Sequence, residues 1–311
     1  MHNTKYKYIV MMVFILSLFG GKVKAQQEPM YSQYMFNLLN VNPAYAGTRT
    51  VDNITALYRQ QWVGINKAPR TGTISWDRRA DGSNMGYGIQ LYNDRLGIEN
   101  TTGFQAFYSY GIPFENSTLS FGVSGGILNY RAALTESELY DPNDPLFQED
   151  VNGWLPTAGF GILYYGDNWY LSLSVPALLK TKIDNPLYKG ITGLGADNHY
   201  FFSGGYVFPM TETFKLKPSF MVQAVRGASL SYDLNVNGWF DDVLSAGLSY
   251  RINDAIVGMV ELQVTPQIRI GYAYDYTISK LSSYNHGTHE LMLRYEFSKT
   301  QGERIYSPRY Y

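Results

Sequence analysis

The chain has 311 residues, a formal net charge of −1 and no cysteine. Disulfides, thiolate metal sites and cysteine nucleophiles are excluded, and no electrostatic case exists for nucleic acid binding. Charged residues make up 16% of the chain, below the roughly 25% of soluble domains, while 28 Tyr, 16 Phe and 5 Trp suit a wall whose rings sit in apolar surroundings and whose hydroxyls reach headgroups or a wet interior.

The first segment reads as an export signal over residues 1–25. Lys5 and Lys7 give a basic start, Ile9 to Phe19 an apolar core, and Val23-Lys24-Ala25 a small-x-Ala cleavage site, so the mature chain is expected to begin at Gln26. The apolar core is about 11 residues, short of the roughly 20 that span a bilayer. Residues 26–50 differ from the strand-like remainder of the chain. Asn42-Pro43 and Ala46-Gly47 are turn signals, and they predict a compact irregular segment, periplasmic or plug-like.

From residue 51 to 311 the pattern is period-two alternation, the mark of strands with one greasy face. The runs lie near Ile54 to Trp62 and Thr71 to Arg78, then over Met85-Leu91, Phe104-Tyr110 and Leu119-Ile127. They continue over Phe160-Tyr164, Trp169-Val175, His199-Phe208, Phe214-Val222 and Leu230-Val236, and end with Leu244-Tyr250, Ile256-Val264, Ile268-Tyr276 and Leu291-Phe297. Most have the length a tilted strand needs to cross a bilayer. The set predicts an all-β, outer-membrane barrel of about 14 antiparallel strands, with lipid outside, water inside and a short C-terminal tail.

The connectors sort by parity. Ala80-Ser83, Pro113-Ser117, Gly166-Asn168, Pro209-Thr213, Phe240-Asp242 and Pro266-Gln267 are short and built of turn formers, while the two longest, roughly Ala132 to Pro156 and Ala177 to Asp197, fall on the opposite parity. That asymmetry belongs to an outer-membrane barrel with periplasmic termini. Arg59, Asp77, Arg131, Glu261, Arg269, Asp275, Arg294 and Glu296 are expected opposite the apolar faces, since an arginine facing lipid at mid-bilayer costs roughly 2–4 kcal/mol.

Several short motifs then line up in order. Gln33-Tyr34-Met35-Phe36-Asn37-Leu38-Leu39 precedes Asn42-Pro43-Ala44-Tyr45-Ala46-Gly47. Arg59-Gln60-Gln61-Trp62, Ala68-Pro69-Arg70-Thr71, Asp94-Arg95-Leu96-Gly97, Leu119-Ser120-Phe121-Gly122 and Leu173-Ser174-Val175-Pro176 come next, then Pro218-Ser219-Phe220, Gly247 to Arg251, Gly271 to Ser279 and Gly287-Thr288-His289-Glu290. Together they resemble the PorP/SprF family of type IX secretion system membrane proteins of Bacteroidota over nearly the whole mature chain. Leu38 and Thr48 depart from the usual Pro and Ser. The resemblance implies a barrel without catalysis or cofactor. Its implied partners are outer-membrane lipids, a large secreted adhesin carrying a type IX C-terminal domain, and a periplasmic peptidoglycan-binding lipoprotein or other type IX components. Gliding motility depends on such adhesins in some relatives.

The remaining candidates favour structure over chemistry. His289 and Glu290 are adjacent on a strand and point to opposite faces, so they do not share one ion. Asp275, beside Tyr274, is a lumen partner for Arg269 or Arg294, or a contact for a guest protein. Asp141, Asp144, Glu149 and Asp150 lack EF-hand spacing. Gly122, Gly125 and Gly126 are no phosphate cradle, and no G-x-S-x-G elbow occurs. No metal site is expected. Asn42, Pro43, Ala44, Tyr45, Ala46 and Gly47 form either a plug or clamp at the periplasmic mouth or a docking site; Arg59, Trp62, Tyr274, Asp275, His289 and Glu290 are the other family-motif and partner-binding candidates. The leading expectation is anchorage and coupling of an adhesin; the alternative is a passive porin or small-solute transporter.

Overall fold

The computed structural model describes residues 31–49, 51–137, 144, 147–179, 198–225 and 228–297. The predicted signal, the C-terminal tail and Asp141 lie outside the described residues.

The strands are β1 (Asn53–Gln60), β2 (Arg70–Arg79), β3 (Met85–Leu96), β4 (Glu99–Pro113), β5 (Thr118–Ala132), β6 (Val151–Tyr165), β7 (Trp169–Val175) and β8 (His199–Tyr206). They continue with β9 (Phe208–Pro209), β10 (Phe214–Val225), β11 (Ser231–Phe240), β12 (Leu244–Arg251), β13 (Ala255–Gln263), β14 (Ile268–Thr277) and β15 (Thr288–Glu296). β9 carries β8 onward in one register, with Gly205 opposite Ser219 and Phe208 opposite Leu216, so the 15 stretches make fourteen strands. Each pairs antiparallel with its chain neighbours, and β15 returns to β1 with Glu296 opposite Asn53 and His289 opposite Gln60. The barrel is therefore closed and has no free edge.

Polarity is inverted relative to a soluble fold. Ile74, Leu91, Leu173, Leu248 and Leu293 are among the exposed apolar side chains, while Asp77, Glu261, Glu290, Arg59 and Arg294 are buried. Lipid is the solvent that this outer face requires, because closed barrels satisfy every spanning backbone group by strand pairing. The outer-membrane barrel predicted from the alternation is the fold observed. The six short turns lie at one end, and the strand ends that lead into 133–150 and 176–198, connectors that fall partly outside the described residues, lie at the other; we call these the turn end and the loop end. In an outer-membrane barrel the loop end faces outward.

Three details differ from the sequence reading. β6 begins at Val151, so Val151 to Pro156, expected in the long connector, is strand; its Gly153 and Pro156 disguise the alternation. Trp62 does not extend β1. It sits beyond Gln60 in the connector with φ 46°, a left-handed turn that no strand accommodates. Arg131 faces outward, on the same side of β5 as Phe121 and Ile127, and is exposed rather than in the lumen.

Candidate functional site: a segment seated in the barrel lumen

A fourteen-strand barrel leaves more interior than wall side chains fill. Residues 31–49 take up that space. Their backbone is three short 3-10 turns, Tyr34–Phe36, Leu38–Asn40 and Pro43–Tyr45. Met35, Leu38 and Ala44 are completely buried, and Tyr34, Leu39 and Tyr45 nearly so. The segment runs the length of the lumen. Ser32 lies among residues at the loop ends of β1, β12, β14 and β15, while Arg49 reaches Glu296 at the turn end.

The family motif starts the turn-end half. Asn42 caps the third 3-10 turn: its side-chain oxygen accepts from the Ala44 N–H at 2.8 Å, and its amide donates to Ser172 Oγ at 2.7 Å and the Ile162 carbonyl at 3.0 Å. Pro43 holds the first position of that turn, where a missing N–H costs nothing. The Ala44 carbonyl accepts from Ser120 at 2.8 Å, the Ala46 carbonyl from Ser109 at 2.7 Å, and the Gly47 N–H donates to Asp77 at 3.0 Å. Gly47 has φ +66°, and a β-carbon there would strike Gly86 and the Arg78 carbonyl. Tyr45 packs in the core and its hydroxyl accepts from Arg49 Nε at 3.1 Å.

The wall is shaped to match. A β-carbon on Gly86 would overlap the Ala46 carbonyl, one on Gly122 the Pro43–Ala44 peptide, and one on Gly161 the Asn42 side chain. These inward glycines let the segment approach backbone to backbone. On the far wall the fit is apolar: Phe36 meets Trp239 edge-on, with ring centroids 6.2 Å apart. The Lys217 ammonium is fully buried there over the Tyr170 and Trp239 rings, at 5.2 and 5.8 Å, a cation–π arrangement.

The loop-end half is held by charge. Glu290 accepts from the Ser32 and Gln33 N–H groups at 2.9 and 2.8 Å and pairs with Arg59 at 2.9 Å. Asp275 pairs with Arg59 at 2.8 Å and Arg251 at 3.4 Å, and accepts from the Ser32 hydroxyl. Asp233 completes the cluster, taking Arg251 and Ser249. Asp275 thus meets Arg59 and Arg251, not Arg269 or Arg294, which pair with Glu261 lower in the barrel. Arg294 also donates to the Phe36 carbonyl.

The candidates from the sequence therefore divide into two groups. Asn42, Pro43, Ala44, Tyr45, Ala46, Gly47, Arg59, Asp275 and Glu290 meet in the lumen. Trp62, Tyr274 and His289 do not join them. His289 faces outward, with Nδ1 2.7 Å from the Tyr272 hydroxyl, and Tyr274 donates to the His286 carbonyl at 3.0 Å. The Trp62 N–H donates to Thr288 at 3.1 Å in the loop-end connector. Ser32, Arg49, Asp233 and the seat glycines Gly86 and Gly161 escape sequence reasoning, whose available signal there is glycine at lumen-facing strand positions; Arg251 and Gly122 stand in the family motifs but not among the site candidates. No group of three or more His, Cys, Asp or Glu side chains that could hold a metal ion occurs among the described residues.

Asn42→Ala removes one cap and two wall hydrogen bonds. We expect a loss of about 1–3 kcal/mol, seen as a lower conversion temperature of the compact band on unboiled detergent gels.

A family model described as type IX secretion system membrane protein PorP/SprF matches residues 23–295. A search of curated proteins gave no match. Among solved structures, the Ralstonia pickettii toluene transporter TbuX aligns with TM-score 0.51 and 9% identity, over 89% of this chain and 95% of that one. The Acinetobacter baumannii outer membrane protein Omp33 aligns with TM-score 0.47 and 9% identity, over 81% of this chain and all of that one. At 9% identity the likeness to TbuX is one of fold alone. The match over most of the chain and the lumen-seated Asn42–Gly47 motif lead to one conclusion: the chain belongs to the PorP/SprF family of type IX secretion system membrane proteins.

Proposed function

We propose that this barrel is a non-enzymatic anchor of the type IX system, which holds a secreted surface adhesin by its C-terminal domain and couples it to periplasmic components. The observation that carries this reading is the family match over residues 23–295. The seated segment supports it physically. A lumen crossed by residues 31–49, with ion pairs at its loop end and backbone contacts at its turn end, is a stiff mooring and a poor conduit. That weighs against a passive porin. The loop end would offer the guest its contacts, through aromatic burial or strand-like pairing. The turn end would face the periplasmic peptidoglycan-binding lipoprotein or other type IX components.

The test is purification of the tagged protein from its own membranes in mild detergent, followed by mass spectrometry and bilayer conductance. Co-recovery of a large secreted adhesin, or of a periplasmic lipoprotein, is the expected result. Recovery of neither, with steady ohmic conductance from the wild-type protein, would establish the porin reading instead.

A further inference from the structure

The barrel wall is not uniform in height. β4, β5 and β6 are each 15 residues long, against 7 in β7 and 8 in β12. Register links the outward residues of this taller sector into rows. Ile74, Leu91, Phe104 and Ile127 form one apolar row, each opposite the next across β2 to β5. One step toward the loop end, Asn93 lies opposite Thr102, Thr102 opposite Asn129, and Asn129 opposite Trp154, which is 66% exposed. An outward tryptophan marks the membrane interface.

The next row is basic. Arg70 lies opposite Arg95, Arg95 opposite Asn100, and Asn100 opposite Arg131, all on the outward face. Like charges directly opposite each other destabilise a strand pair. Neither Arg70 nor Arg95 has an ion-pair partner among the described residues; Arg95 only donates to Asn100 at 3.3 Å. Asn100 is in turn held by Asn93 at 2.8 Å. Arg131 is shared with Asp150 at 3.3 Å; hydrogen bonds from Thr135 keep that carboxyl below its usual range. At the loop ends of β8, β11, β12, β13 and β14 the outward positions are instead aromatic or aliphatic: Tyr200, Tyr232, Tyr250, Ile256 and Tyr276.

We propose that this sector binds an anionic, acyl-bearing lipid of the outer leaflet. Its phosphate-bearing head lies across the Arg70–Arg95 pair, with Arg131 at the margin, and its chains lie on Ile74, Leu91, Phe104 and Ile127. Arg70 and Arg95 stand directly opposite each other on neighbouring strands whose backbones lie about 5 Å apart, so two guanidiniums on long side chains can converge on one phosphate and bind it bidentately. The apolar row two steps beneath, past Asn93, Thr102 and Asn129, selects a lipid over a free anion. This site is independent of the adhesin reading and survives its failure.

The test compares the full-length protein with Arg70→Gln/Arg95→Gln and with Arg78→Gln on the turn-end rim. Each is purified in mild detergent, checked for the compact band on unboiled gels, and titrated with lipopolysaccharide, its dephosphorylated derivative and inorganic phosphate while bound species are read by native mass spectrometry. The expected result is a loss of about tenfold or more in lipopolysaccharide affinity for the double variant, roughly the worth of one good charged contact. Arg78→Gln should behave as wild type, and the dephosphorylated lipid and inorganic phosphate should bind weakly to all three. Equal lipopolysaccharide binding by wild type and double variant overturns the proposal. So does equal binding of the dephosphorylated lipid, or of inorganic phosphate, or loss of a co-purifying protein with lipid retention unchanged.

Discussion

Arg59→Met should destabilise the barrel by about 3–5 kcal/mol, the range for removing one partner of a buried ion pair. Arg59 is 1% exposed and serves two carboxylates, Glu290 and Asp275, besides the Ser32 hydroxyl. Methionine preserves volume, so the loss isolates charge from packing. Asp275 keeps Arg251, whereas Glu290 keeps only the N–H groups of Ser32 and Gln33. The larger share of the penalty therefore falls on Glu290, and adding Glu290→Gln to Arg59→Met should recover part of it. Denaturant or heat conversion of the compact band measures all four members of the cycle. Wild-type stability in the single variant would mean that water reaches the cluster and that the segment is not tightly seated.

Gly122→Val should unseat the segment. The new β-carbon enters the Pro43–Ala44 peptide, which is backbone and has no rotamer to yield. Overpacking in a closed interior costs about 1–3 kcal/mol, and the cheapest relief is for residues 42–47 to leave the wall. Three further bonds then go, those of Ser120, Ser109 and Asp77 to the segment. The expected readouts are protease cleavage within residues 31–49 and linear conductance in planar bilayers where the wild type has little. Gly125→Val is the control. Gly125 lies on the same strand but faces outward with open space around it, so neither readout should change. Conductance equal to wild type in Gly122→Val would show that the strand, not the segment, absorbs the clash.

Most of the wall is legible in the sequence because strand alternation is a strong signal when one face meets lipid and the other does not. Leu244-Ala246-Leu248-Tyr250 and Ile268-Ile270-Tyr272-Tyr274-Tyr276 leave little choice of facing. The signal fails where residues are small or lack alternation, as over Val151 to Pro156, and where charge alone suggests an inward position, as at Arg131. The lumen segment is legible only as irregular. Its 3-10 turns have no period, and the reason Tyr34, Met35 and Phe36 are buried is a cavity assembled from strands as distant in sequence as β2 and β15. The partners of Asp275 are hidden for the same reason. Nearness along the chain suggests Arg269 and Arg294, but lumen contacts are set by height and azimuth, and those place Arg59 and Arg251 beside it.

One pairing bears on how the ring finds its correct closure. Arg59 and Glu290 stand directly opposite each other on β1 and β15, the first and last strands. A slip of one residue along that seam would turn Glu290 toward the lipid, and a slip of two would carry it about 7 Å from its guanidinium. Either misalignment leaves a stranded charge in a dry interior. The pair thus works as a notch and pawl: among the alignments that two alternating strands could adopt, it singles out the one in which the cylinder shuts.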